Sequence, residues 1–239
     1  MREKLIYILI FSFLFISCDF TSADEYYNRA IELDKQGKYN EAIVSLDKAI
    51  DKKSKFRPAL LNRGFYKSKL EKFEEGIKDY NKILEFDNDN TFALFNIGNN
   101  YSSLNDSKNA IAYYSKALQT EGALKSFASS DGGAFALNTN FDLKRFDSDR
   151  DYSMLDCEIY FERGMEYLEI EQFDKAISDF NKSIKADNAK RDCYFLLGKA
   201  FIGKKDSINA CENFIKSAKL GDKEAREMLK KHCIKKNNK

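Results

Sequence analysis

From Ala23 onward, large apolar, small and polar positions return in the same order every 34 residues. The segment Tyr26-Tyr-Asn-Arg-Ala30 recurs as Leu60-Leu-Asn-Arg-Gly64 and Leu94-Phe-Asn-Ile-Gly98. It returns again as Tyr160-Phe-Glu-Arg-Gly164 and Tyr194-Phe-Leu-Leu-Gly198. Twelve residues after each small residue comes another: Ala42, Gly76, Ala110, Ala176 and Ala210. Four further on stands a large apolar residue: Leu46, Tyr80, Tyr114, Phe180 and Phe214. Spacings of three and four put such residues on one face of a helix. Small side chains let two antiparallel helices approach, and large ones fill the flanking space. The pattern therefore predicts five helix–turn–helix units. Their internal turns fall at Gly37, Glu71-Lys72, Asn105-Asp106 and Glu171-Gln172. Ser54, Asn88, Asn188 and Asp222 stand where the following helices begin and suit N-caps.

This pattern resembles the tetratricopeptide repeat, a 34-residue helix–turn–helix unit. The resemblance implies an all-α fold, a right-handed α-solenoid of antiparallel helix pairs. Repeats one to three span 23–124 and repeats four and five 157–224. Residues 225–239 form a capping helix and basic tail, with Ala225, Met228, Leu229 and His232 covering the last repeat. In such arrays the first helix of each repeat lines a concave groove. The groove residues are then Tyr27, Asn28, Asn62, Phe65, Phe92, Phe95, Asn96, Asn99, Phe161, Met165, Phe195 and Lys199, with Ile31 and Leu61 beside them. Aromatic faces and side-chain amides suit an extended or helical peptide. Arg29, Arg63 and Arg163 occupy packing slots where the family usually has Leu, so a cationic clamp for a terminal carboxylate is disfavoured.

The pattern stops between Lys125 and Asp156. This 125–156 insert reads as a small hairpin, with Phe135, Leu137, Phe141 and Leu143 alternating around Asn138-Thr-Asn140; an eroded repeat is the alternative. It could rest on the concave face or act as a hinge. Asp147, Asp149, Asp151 and Glu158 have the spacing of an EF-hand calcium loop. Tyr152 stands where that loop needs Gly, and a solvated acidic linker explains the same residues.

Ahead of the repeats, Arg2 and Lys4 precede an apolar run from Leu5 to Ile16, then Ser17 and Cys18. The run is shorter than a membrane span of roughly 20 residues and has the length of a signal-peptide core. Its end resembles a bacterial lipobox. That implies removal of residues 1–17, lipidation of Cys18 and a short tether over 18–22. The chain is then a lipoprotein of the bacterial cell envelope, on an undetermined membrane and leaflet.

Charge and chemistry alter this little. Charged residues are 33% of the chain but the net charge is only +2, which gives no reason to expect nucleic acid. Export makes disulfides possible. Buried free thiols are the plainer expectation for Cys157, Cys193, Cys211 and Cys233, with one bridge among the last three as the alternative. The single His232 and the absence of phosphate-binding loops argue against an enzyme. No cofactor or small-molecule substrate is expected. The resemblance thus points to a lipid-anchored scaffold that holds another envelope protein. It is similar to lipoproteins that help assemble outer-membrane proteins, pili or secretins. The rival reading is a metal- or cell-wall-polymer-binding lipoprotein acting through the insert and the basic Lys230–Lys239 tail.

Overall fold

In a computed structural model of the protein, residues 19–128, 134–136 and 154–233 are described. They form consecutive antiparallel helix pairs: α1 (Ala23–Lys35) with α2 (Tyr39–Lys52), α3 (Arg57–Lys69) with α4 (Phe73–Leu84), and α5 (Thr91–Ser103) with α6 (Ser107–Ala117). After the insert come α7 (Asp156–Glu169) with α8 (Phe173–Lys185), then α9 (Lys190–Gly203) with α10 (Ser207–Lys219). A last helix, α11 (Lys223–His232), packs on α10.

The small-to-large pairing explains how each pair closes. Ala30 and Leu46 are both fully buried in the first. Where Gly replaces Ala, a ring replaces Leu: Gly64 with Tyr80, Gly98 with Tyr114, Gly164 with Phe180 and Gly198 with Phe214. The ring lies across the bare backbone, and a methyl on Gly98 would come within 2.6 Å of Tyr114. A second column repeats beside it. Lys48, Lys182 and Lys216 sit over the rings of Tyr26, Tyr160 and Tyr194, at 5.2, 4.4 and 5.5 Å from their centroids. Such contacts are worth about 0.5–1 kcal/mol at exposed sites.

The turn inside each pair also repeats. Its left-handed residue is Gly37, Glu71, Asn105, Glu171 or Lys205, with φ between 58° and 70°. Only Gly37 adopts this conformation without steric cost. Of the expected caps, Asp222 accepts from the Glu224 and Ala225 N–H groups. The other three starts lie elsewhere. Phe56 and Pro58 open α3, Asn90 caps α5, and Ala189 in a left-handed conformation precedes α9. Ser54, Asn88 and Asn188 stand one or two residues too early.

The insert leaves and rejoins the stack at a closed neck. Strand β1 (Ala123–Leu124) pairs parallel with β4 (Met154–Leu155), and the Met154 N–H donates to the Gly122 carbonyl at 2.9 Å. Between them, β2 (Ser126–Ala128) pairs antiparallel with β3 (Ala134–Ala136). These two strands form a hairpin that flanks residues 129–133, with Ser126 registered to Ala136. The expected alternation over 137–143, and Asp147, Asp149 and Asp151, lie outside the described residues. The helices continue across the neck. Ile159 of α7 is buried with Leu94, Ala110, Tyr114 and Ala117. Ser102 donates to Glu166 at 2.6 Å and Arg163 to Ser115 at 2.9 Å. The two repeat blocks are thus packed as neighbours.

At the far end, Ala225, Met228 and Leu229 close over Ala210 and Phe214 as expected. His232 is exposed instead of covering that face. Cys233 takes its place through a disulfide to Cys211, with Cα atoms 5.7 Å apart. Free-thiol expectations therefore fail for Cys211 and Cys233. They hold for Cys157 and Cys193, which are buried and unbridged. Burial pushes both thiols up, Cys193 to about 12, which removes thiolate reactivity. Among the described residues no helix is long and apolar enough to cross a membrane.

Candidate interaction groove

Adjacent first helices meet directly: α3 with α5, α5 with α7 and α7 with α9. First helices therefore lie on the inner side of the stack. The predicted groove residues all stand on these first helices.

One column is aromatic and half-buried. Phe95, Phe161 and Phe195 lean on Tyr114, Phe180 and Phe214 of the second helix in their own repeats, with centroids 5.6, 6.3 and 5.9 Å apart. Tyr27 instead packs on Phe56, at 5.4 Å, and its hydroxyl accepts from the Asn62 amide at 3.1 Å. Half of each ring is thus committed to the fold. Phe92 is also half-buried, against the core of repeats one to three. Phe65 differs: it is 39% exposed, with its edge on Tyr66 and the Lys69 ammonium over its face at 5.1 Å.

The amides divide similarly. Asn96 donates to the Phe92 carbonyl at 2.8 Å, and Asn99 accepts from the Tyr114 hydroxyl at 2.7 Å. Asn28 and Lys199 are exposed, and Met165 is half-buried.

In repeat four the amide slot of Asn28, Asn62 and Asn96 holds Glu162. Glu158 and Glu166, one turn before and after, share its face of α7. Burial, then Glu166 and then Glu158, push the Glu162 carboxyl up to about 7. Its departure from amide to acid stands in the repeat alignment, and reading that column for charge finds it. The native state then keeps a proton that the unfolded chain has lost between about pH 4.5 and 7. Stability from this group is present below that window and falls as pH rises through it. Glu162→Gln is expected to match the parent at pH 4 and exceed it by about 2 kcal/mol at pH 8. Urea midpoints across that range check this; parallel pH profiles for the two chains would refute it.

Arg63 and Arg163 do not reach the groove. Each makes a two-pronged ion pair with an Asp sixteen residues on, Asp79 or Asp179, inside its own repeat. Each then reaches back to the preceding repeat's second helix, Arg63 to Asp47 at 2.6 Å and Arg163 to Ser115. These buried clamps escaped the sequence reading, although the Arg–Asp spacing recurs in both repeats. Arg29 has Ser45 where they have Asp.

Glu158 sits in the first turn of α7, and among the described residues no group of His, Cys, Asp and Glu is arranged to hold a metal ion. The groove offers ring faces, amides and the carboxyls of Glu162 and Glu158, both pushed up by burial, a surface for contact.

The tetratricopeptide repeat family model matches residues 26–53, 58–90, 93–122 and 158–190, more than half of the chain. The α9–α10 pair lies beyond the last match and repeats the same Gly–Phe closure. No curated protein sequence matches the chain. Solved structures do. YrrB, described as a TPR protein with an unusual peptide-binding site, is 20% identical over 88% of this chain and 92% of its own, with a TM-score of 0.65. MamA from Desulfovibrio magneticus is 18% identical over 83% and 94%, also at 0.65. PilF of Pseudomonas aeruginosa is 16% identical over 87% and 80%, at 0.61. At these identities the likeness is one of fold. By its matched repeats and its helix-pair geometry, the chain belongs to the tetratricopeptide repeat family.

Proposed function

We propose that this protein is a lipid-anchored scaffold of a bacterial cell envelope, holding a segment of another envelope protein in its groove. The observation that carries this reading is the row of half-exposed aromatic and amide side chains repeated along the inner helices. Extended or helical segments are recognised by such alternating apolar and amide contacts. YrrB, whose description names a peptide-binding site, shares the fold. Two features support export. One is the charged start, apolar run and Cys18. The other is the Cys211–Cys233 bridge, of a kind that persists in oxidising compartments. A non-catalytic role fits the exposed position of the single His232 at the end of α11 and the burial of the Cys157 and Cys193 thiols.

Mass spectrometry of the mature N-terminus tests the anchor: a chain beginning at acylated Cys18 is expected, and an unmodified or uncleaved N-terminus would refute it. Affinity capture from detergent-solubilised envelopes tests the groove. Phe65→Ala with Phe95→Ala should weaken a captured partner at least tenfold, about 1.4 kcal/mol, as loss of aromatic anchors does. Undiminished capture by a variant of unchanged helicity would move the binding surface elsewhere.

A further inference from the structure

The residue after Cys18 is not part of a free tether. The Asp19 carboxylate accepts from the Tyr26 hydroxyl and from the Thr21 N–H, the latter at 3.1 Å. Lys52, at the end of α2, donates to the Asp19 carbonyl and lies 3.6 Å from its carboxylate. The Tyr26 and Thr21 contacts hold the Asp19 carboxyl far below the usual carboxylate range. Ser22 then caps α1 in a reciprocal box with Glu25, at 2.7 and 3.2 Å. The chain is thus fastened to the first repeat from Asp19 onward.

Two exposed features share that edge. Phe20 projects into solvent, 92% exposed, between the pinned Asp19 and the cap. The α2–α3 turn, brought alongside by Lys52, presents exposed Lys52, Lys53 and Lys55 beside two exposed acids, Asp51 and the Lys52 partner Asp19. An exposed aromatic next to a small basic cluster suits the boundary between acyl chains and anionic headgroups.

We propose that this edge is a membrane-docking surface. Phe20 enters the interface of an anionic bilayer, the lysines meet its headgroups, and the first repeat is held at a fixed orientation. The inference rests on lipidation of Cys18, and its test separates the two. The chain has no Trp, so Phe20→Trp in the full-length, processed protein is a unique fluorophore. It is reconstituted into phosphatidylethanolamine–phosphatidylglycerol vesicles with brominated acyl chains, with Phe65→Trp in the groove as control. The expected result is a blue shift and loss of emission for the Trp at 20, and none for the Trp at 65. Amide exchange over 51–55 should slow on these vesicles and recover when phosphatidylcholine replaces phosphatidylglycerol. Protein that floats with vesicles while the Trp at 20 stays unquenched, or while 51–55 exchanges as in detergent, would overturn the docked edge and leave the anchor standing. Protein that fails to float would overturn both.

Discussion

Replacing Asp79 by Ala is expected to cost about 3–5 kcal/mol, because it strands buried cations. Asp79 is 2% exposed and holds Arg63 through two bonds, at 2.9 and 2.5 Å, and Lys67 through a third at 2.9 Å. Without it, Arg63 keeps only Asp47, a half-exposed residue of the preceding repeat, and Lys67 keeps a 3.9 Å approach to Glu75. The damage falls on repeat two, which joins the N-terminal repeat to the rest. Solenoid stability is a sum of repeat and neighbour terms, so unfolding should lose cooperativity as well as midpoint. Removing both charges is a different experiment. Arg63→Leu with Asp79→Leu replaces a buried ion pair by apolar volume, as Ile97 already does at the Arg slot of repeat three. Such exchanges are often neutral or stabilising. Urea unfolding followed by helicity should therefore show a large loss for the single variant and recovery for the double. Equal losses would mean that the clamp supplies more than charge compensation.

The same clamp shows what was legible in the chain. Columns repeated five times, such as Gly64 with Tyr80 or Gly198 with Phe214, are readable because each copy faces the same packing problem. Residues that break a column need a second partner to be understood. Arg63 and Arg163 look out of place at a Leu slot until Asp79 and Asp179 are read with them. Glu162 is likewise plain once it is set under Asn28, Asn62 and Asn96. The helix starts slipped by one or two residues because packing of Phe56 and the backbone at Ala189 set two boundaries, and Asn90 rather than Asn88 caps the third. The insert was least legible. The alternation around Asn138-Thr-Asn140 lies outside the described residues, and the hairpin that is described, with Phe127 registered to Phe135, precedes it. Its neck joins Ala123 to Met154, a non-local contact that local pattern does not encode. Groove residues were located by repeat position, while how far each ring is spent on packing required the partner helix.

Reducing the Cys211–Cys233 bridge is expected to release α11 and weaken the C-terminal repeat by roughly 3 kcal/mol, from loop closure across 22 residues. The spacing of the cysteines did not specify this pair over others. It follows from α11 folding back along α10, which brings the end of one helix beside the start of the other. The bridge matters because α11 is short and mostly polar outside Ala225, Met228 and Leu229, so its own burial is small. Once it frays, Ala210 and Phe214 become the open face of the stack, and neighbouring Phe201 and Ile202 lose their cover. A solenoid without its terminal cap unravels from that end. Native-state amide exchange on Cys211→Ser with Cys233→Ser should show residues 223–233 unprotected first, then α9 and α10, with α1 to α6 unchanged. Protection of α11 that survives loss of the bridge would show that apolar contact alone holds the cap. The reduction experiment would then say nothing about the compartment. If instead the cap opens, the fold is complete only where the disulfide persists, which ties the shape of its last repeat to an oxidising environment.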